Sequence, residues 1–238
     1  EDPNLREAYD EDNVMAYIGT WEVKCPKCGN YTPLIGNWWL ARIRGVRGYK
    51  RLAFMRPVKA KGEVSIEIVD LNKIHGDEAV TKASITRPPR LGKVSIANVE
   101  YELPKPNVDT RAQTATCLLC GAAEIKVREA IRDWNEKLEE YLEGKIAWNT
   151  LINESSARPR LLVKIKASNT NDVEFEPCTV EDNEKLWKAL KIIKELWQKG
   201  DPDIPKEVIP PYERLWTVTY YGIDKFYKLF NPRQLLTL

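Results

Sequence analysis

The chain has 238 residues, 43% of them hydrophobic and 30% charged, with a formal net charge of +2. That is enough apolar material for a sizeable core in one domain with an appendage or in two small ones, and no apolar run reaches the roughly 20 residues a membrane-spanning helix needs. The opening stretch EDPNLREAYDEDN has neither the basic start nor the apolar run of a signal peptide, so five cysteines are expected in a reducing, cytoplasmic setting, where paired thiols hold metal or act as redox dithiols more often than they form structural disulfides.

The charge is unevenly distributed. Between Val23 and Gly62 there is no Asp or Glu, while Lys24, Lys27, Arg42, Arg44, Arg47, Lys50, Arg51, Arg56, Lys59 and Lys61 are all positive. The acids crowd the N-terminal tail and the stretches from Glu124 to Glu143 and from Asp172 to Glu207. Such asymmetry in a nearly neutral chain predicts one face that meets a polyanion.

In chain order, the β-branched and aromatic residues of Val14 to Lys24 predict a strand, broken by CPKCGN. Strand-like runs resume at TPLIGNWWLARI, YKRLAFMRPV, EVSIEIVD, AVTKASITR and KVSIANVEYEL, divided by Gly, Asn, Asp or Pro, and CLLCG closes this β-rich half. The periodicity then changes. Ile125, Val127, Ala130, Ile131, Trp134, Leu138, Tyr141 and Leu142 recur mostly three and four apart, predicting an amphipathic helix ended by Gly144. RLLVKIKAS and VEFEPCTV read as a further strand pair. A second helix is expected from about Glu181 to Lys199, capped by Thr179 and stopped by Gly200, with Leu186, Leu190, Ile193, Leu196 and Trp197 on its buried side. GDPDIPKEVIPPYE is too proline-rich for regular structure and reads as a connector. FNPRQLLTL announces a last helix, with Asn231 as cap, Pro232 at the first helical position and Gln234 reaching back. Only about two turns follow at 3.6 residues each, so the natural sequence is expected to continue past Leu238, this chain being an excised piece of a larger protein. The expected class is α+β: a β-rich, zinc-ribbon-like half over residues 1–121, a helix and strand region over 122–208 with two amphipathic helices, and a connector with the start of a helix over 209–238.

Cys25 and Cys28 stand in CPKCG, Cys117 and Cys120 in CLLCG. Each pair sets two sulfurs on a tight turn, and the glycine after it takes the positive φ that lets backbone amides point at thiolates. Together the pairs supply the four soft ligands of a tetrahedral zinc site, although 88 residues lie between Cys28 and Cys117, a span a zinc ribbon tolerates if that segment is itself an ordered β excursion. The alternatives are two unrelated thiol pairs or a redox dithiol; the latter is expected at the start of a helix, and CPKCG precedes a strand-like run. Cys178 reads as a small buried hydrophobe. His75, in the polar turn NKIHGDE, lacks a second histidine and reads as surface.

IPPY, from Ile209 to Tyr212, resembles the catalytic tetrapeptide of amino-group methyltransferases, but Ile209 has no side-chain acceptor for a target amine, and a stiff polyproline connector fits these residues. A wider resemblance is carried by TWEVKCPKCGNYTPLIGNWWLARIRG together with LWTVTYYGIDKFYKLFNPRQLLTL. These stretches resemble the zinc-ribbon-containing adenine-specific DNA methylases: Trp38, Trp39, Leu40 and Ala41 match a strand after the first knuckle, and Tyr221, Gly222, Phe230, Pro232, Arg233, Gln234, Leu235 and Leu236 match the re-entry into the enzyme core. The match is good at both ends and poor from Val58 to Thr116. The family's S-adenosylmethionine motif and true catalytic tetrapeptide are absent. The resemblance therefore implies an insert between the cofactor half and the catalytic half of such an enzyme, with S-adenosylmethionine bound by the parent protein only and the remainder of the methyltransferase core as partner. NPRQLLTL would then begin a core helix severed from its sheet.

The expected function is an auxiliary zinc-binding region that contacts DNA through Trp38, Arg42, Arg44, Arg47, Lys50 and Arg51. Lysine and arginine would meet phosphates, and Trp38, Trp39, Tyr49 or Phe54 would stack on an unpaired base. Strand alternation lets only one of Trp38 and Trp39 face inward. The alternative is a structural or protein-interaction module whose zinc holds the insertion in place. With no nucleophile, acid-base constellation or phosphate loop, the chain is not expected to act as an enzyme alone.

Overall fold

A computed structural model describes residues 14–60, 62–86, 92–168, 173–210 and 214–237. The class is α+β, with antiparallel sheets throughout the described residues. No described helix is long and apolar enough to cross a membrane.

The central sheet has the order β13-β12-β1-β2, built from β1 (Val14–Lys24), β2 (Tyr31–Pro33), β12 (Ala157–Ala167) and β13 (Val173–Pro177). β1 pairs along its length with β12, from Val14 opposite Lys166 to Val23 opposite Ala157. The compositional boundary at 121/122 thus runs through a single sheet, because the first strand of the β-rich half finds its partner in the second half. Two helices cover one face. One spans Val127–Leu142, with the eight periodic positions of its stretch, Ile125 to Leu142, all buried. The other spans Val180–Lys199, where the side chain of Thr179 accepts from Asp182 N and Asp182 Oδ2 accepts from Thr179 N in a reciprocal capping box. Asn183 docks this second helix on the sheet, accepting from Leu161 N at 2.8 Å and donating to Leu161 O at 3.2 Å.

The opposite face carries the excursion between the two knuckles. β3 (Trp39–Gly45), β4 (Gly48–Ala60) and β5 (Glu63–Asp70) form a meander, α1 (Leu71–His75) and α2 (Asp77–Thr81) follow, and β6 (Ser84–Ile85), β7 (Lys93–Ile96) and β8 (Val99–Glu102) form a second small sheet. Leu52, Phe54, Val69, Leu71, Val80, Val94, Ile96 and Leu103 make the excursion's own core. A separate cluster, Ile35, Trp38, Met55, Ile66, Leu162 and Val163, seats it on the central sheet.

Three sequence expectations need correction. AVTKASITR is not one strand: Ala79 to Thr81 end α2, where Asp77 and Glu78 favour a helix N-terminus and Thr81 Oγ1 donates to Asp77 O, leaving only Ser84 and Ile85 as a strand among its described residues, Arg87 lying outside them. TPLIGNWWLARI is two strands separated by residues 34–38, where the chain leaves the central sheet. KVSIANVEYEL is a hairpin, turned at Ala97 and Asn98 with φ of 48° and 64°.

Candidate metal centre and basic hairpin

The first knuckle is the turn joining β1 to β2. The second follows β9 (Val108–Asp109) and β10 (Thr114–Ala115) and leads into β11 (Ile125–Lys126). The two have the same backbone geometry. Gly29 N donates to Cys25 O and Gly121 N to Cys117 O, both at 2.9 Å; Cys25 N donates to Asn30 O at 2.9 Å and Cys117 N to Ala122 O at 2.8 Å. Gly29 and Gly121 share a φ of 74°, a left-handed conformation that costs glycine nothing.

The four sulfurs lie within 4.8 Å of one another. Cys25 Sγ is 3.6 Å from Cys120 Sγ, and Cys28 Sγ is 3.9 Å from Cys117 Sγ. A tetrahedron with metal–sulfur bonds of about 2.3 Å has sulfurs about 3.8 Å apart, so the donor set fits an ion such as zinc. These two short contacts run between the knuckles, the arrangement a shared ion requires and a C-x-x-C redox dithiol does not. All five cysteines are free thiols. Burial pushes the Cys117 thiol up to about 12, partly countered by the Cys120 and Leu119 amides, whereas the Ala122 amide brings Cys120 down to about 7. Four thiolates this close would repel one another, and a bound cation would offset that repulsion. Cys178 lies outside the cluster, and burial raises its pKa to about 12, in keeping with an inert thiol.

The described residues between the knuckles, 29–60, 62–86 and 92–116, are folded, as a ribbon with so long an insertion requires. A flexible loop of that length would cost about 4 kcal/mol to close on a metal. Instead the excursion leaves and returns through a narrow neck. Ile35 N donates to Asn107 Oδ1 at 2.7 Å, Asn107 N to Ile35 O at 3.1 Å, and Trp38 Nε1 to Lys105 O at 3.0 Å. Leu118 N donates to Thr32 Oγ1 at 3.0 Å, tying the second knuckle to the strand after the first. Neither Asn107 nor Thr32 carried a sequence signal.

The residues proposed for nucleic acid divide into two groups. Arg42, Arg44, Arg47 and Lys50 are exposed on the β3–β4 hairpin, and no carboxylate pairs with them among the described residues. Trp38 and Arg51 are internal. Trp38 is fully buried and straps the neck, so it offers no ring to a base. Arg51, expected to lack a local acid, meets Asp70 in a bidentate pair at 2.9 and 2.7 Å and donates to Val173 O at 3.2 Å. Arg56 is matched as well, by Glu67 at 2.7 Å. The expected stacking platform is also taken up: Phe54 is in the core, while Arg42 lies over Trp39 at 5.9 Å and Arg44 over Tyr49 at 5.0 Å. Lys61 is outside the described residues. His75, expected at the surface, is half-buried and hydrogen-bonds the Tyr101 hydroxyl at 2.7 Å.

The chain matches no known family, curated protein or solved structure in comparisons of sequence and fold.

Proposed function

We propose that the chain is a zinc-held module that lays a basic β-hairpin on the phosphate backbone of DNA, as the auxiliary insert of an adenine-specific DNA methyltransferase. The observation that carries the contact is the set of four exposed cations, Arg42, Arg44, Arg47 and Lys50, left without carboxylates among the described residues on a hairpin whose other arginines, Arg51 and Arg56, are both paired. Zinc in the Cys25, Cys28, Cys117 and Cys120 site has a structural role, since four protein ligands leave no open position for substrate. The methyltransferase context rests on the resemblance of the two outer stretches. β1 and the C-terminal segment, which flank or carry those stretches, lie together, with the Arg233 guanidinium 4.8 Å over the Tyr17 ring.

The test is fluorescence anisotropy with a labelled duplex over a range of salt. Affinity is expected to fall with a slope of about −0.9 per phosphate neutralised, and replacing Arg42, Arg44 and Arg47 together by Ala is expected to flatten the slope by roughly two to three units. An unchanged slope, or no binding by the parent chain at low salt, returns the chain to the class of structural or protein-interaction zinc modules.

A further inference from the structure

We infer that Asn107 is the positioning residue of the metal centre: it holds the two knuckles in the relative placement that brings four sulfurs together, and so sets the affinity for zinc. The inference rests on the reading of the four-cysteine cluster as a zinc site. A chain whose two ligand pairs are 89 positions apart must bring them face to face before an ion can bridge them. The turns that shape each knuckle do not do this by themselves, because they close Gly29 on Cys25 and Gly121 on Cys117.

Asn107 supplies the link. Its side chain has one acceptor oxygen and two N–H donors; two of these three functions reach across to the first ribbon arm and the third holds the second arm. Oδ1 accepts from Ile35 N at 2.7 Å, while Nδ2 donates to Pro33 O at 2.9 Å and to Thr116 O at 3.0 Å. Its backbone adds two more bonds, N to Ile35 O at 3.1 Å and O from Thr116 N at 2.8 Å. Pro33 ends the strand that follows Cys28, and Thr116 immediately precedes Cys117. A single buried side chain therefore spans from the first arm to the residue beside a ligand of the second, and takes the whole excursion out of the loop that the metal must close. Aspartate is nearly the same size but has no N–H to offer Pro33 O or Thr116 O, so the requirement is for the amide itself. Residues that orient ligands through hydrogen bonds commonly change metal affinity 10- to 100-fold when removed.

The experiment is a zinc competition titration against a chromophoric chelator, with the cobalt(II)-substituted absorption spectrum as a second readout, on the full chain and three variants. Asn107→Asp is expected to weaken zinc about 10- to 100-fold and to alter the ligand-field bands, although every cysteine remains. Thr32→Val, which deletes the Thr32 Oγ1–Leu118 N link, is expected to shift affinity in the same direction and decides the question if Asn107→Asp fails to fold. Asn72→Ala is the control. Asn72 also makes three side-chain hydrogen bonds, to Leu52 N, Lys50 O and Asp77 Oδ1, but within the excursion and away from the neck, so zinc affinity should stay within about twofold. Equal zinc affinity in the parent, Asn107→Asp and Thr32→Val overturns the inference, as does an equal loss in Asn72→Ala, which would mark a general loss of stability. Absence of zinc binding by the parent chain would instead overturn the zinc reading itself.

Discussion

Arg51 separates the buried, structural part of the basic stretch from the exposed part proposed to meet nucleic acid. Its side chain is 8% exposed and that of Asp70 9% exposed, so the pair is effectively desolvated. Removing one partner of such a pair leaves the other charge buried, at a cost of about 3–5 kcal/mol. In Arg51→Ala, Asp70 keeps its bond from Lys73 N as the cap of α1, which places the expected loss near the lower end, about 3 kcal/mol. The bond to Val173 O and the Phe175 ring 5.7 Å away also go, loosening the excursion from β13. Arg44→Ala, by contrast, removes an exposed side chain over Tyr49 and should change stability by no more than about 0.5 kcal/mol. Urea unfolding of zinc-loaded protein measures the first quantity and the salt slope of duplex binding the second. Arg51→Ala should lose stability and keep its slope; Arg44→Ala should keep stability and lose about one unit of slope. A stability loss under 1 kcal/mol for Arg51→Ala, or a full unit of slope lost with it, would refute the assignment of Arg51 to the interior.

Cys117→Ser should abolish stoichiometric zinc in metal analysis and loosen the two arms, whereas Cys178→Ser, outside the cluster, should leave metal content unchanged. The second expectation concerns acid. Burial opposes the charge on Asp182, but the Thr179 amide and the Lys164 ammonium at 3.0 Å more than offset it and hold its carboxyl below the usual range. The unfolded chain therefore takes up this proton at a higher pH than the folded chain, so the stabilisation is complete above about pH 4 and lost as the pH falls through the folded value. Unfolding free energies at a series of acidic pH values should decline less steeply for Asp182→Asn than for the parent chain.

What could be read from the sequence was mostly local. The helix from Val180 to Lys199 begins and ends where a capping threonine, a reaching carboxylate and a glycine place it, because these interactions lie within four residues of one another. Strand β5 coincides with EVSIEIVD for the same reason. AVTKASITR failed where a tertiary contact outweighed β-propensity: Val80 is fully buried in the excursion's core, and a single helical turn puts it there. Equally illegible was the pairing of β1 with β12, since strand composition does not say which distant strand will supply the ladder.

The candidate site divides along the same line, between chemistry legible from spacing and geometry set by residues far apart. The cysteine pairs declared themselves because the knuckle is local, two ligands and a glycine in five positions. That the knuckles meet depends on Asn107, a residue between two prolines and a strand with nothing around it that marks a binding role. The basic stretch was misread in part for a related reason. A run without acids appears uncompensated along the chain, yet β5 lies beside β4 and brings Asp70 to Arg51 and Glu67 to Arg56. Arg42, Arg44 and Arg47 escape this neutralisation because β3 is the edge strand and the turn lies beyond the end of β5, whose register with β4 begins at Ala53 opposite Asp70. The sheet order thus divides one basic run into a part that holds the excursion together and a part left facing outward, which among the described residues includes Arg42, Arg44, Arg47 and Lys50 around the β3–β4 turn.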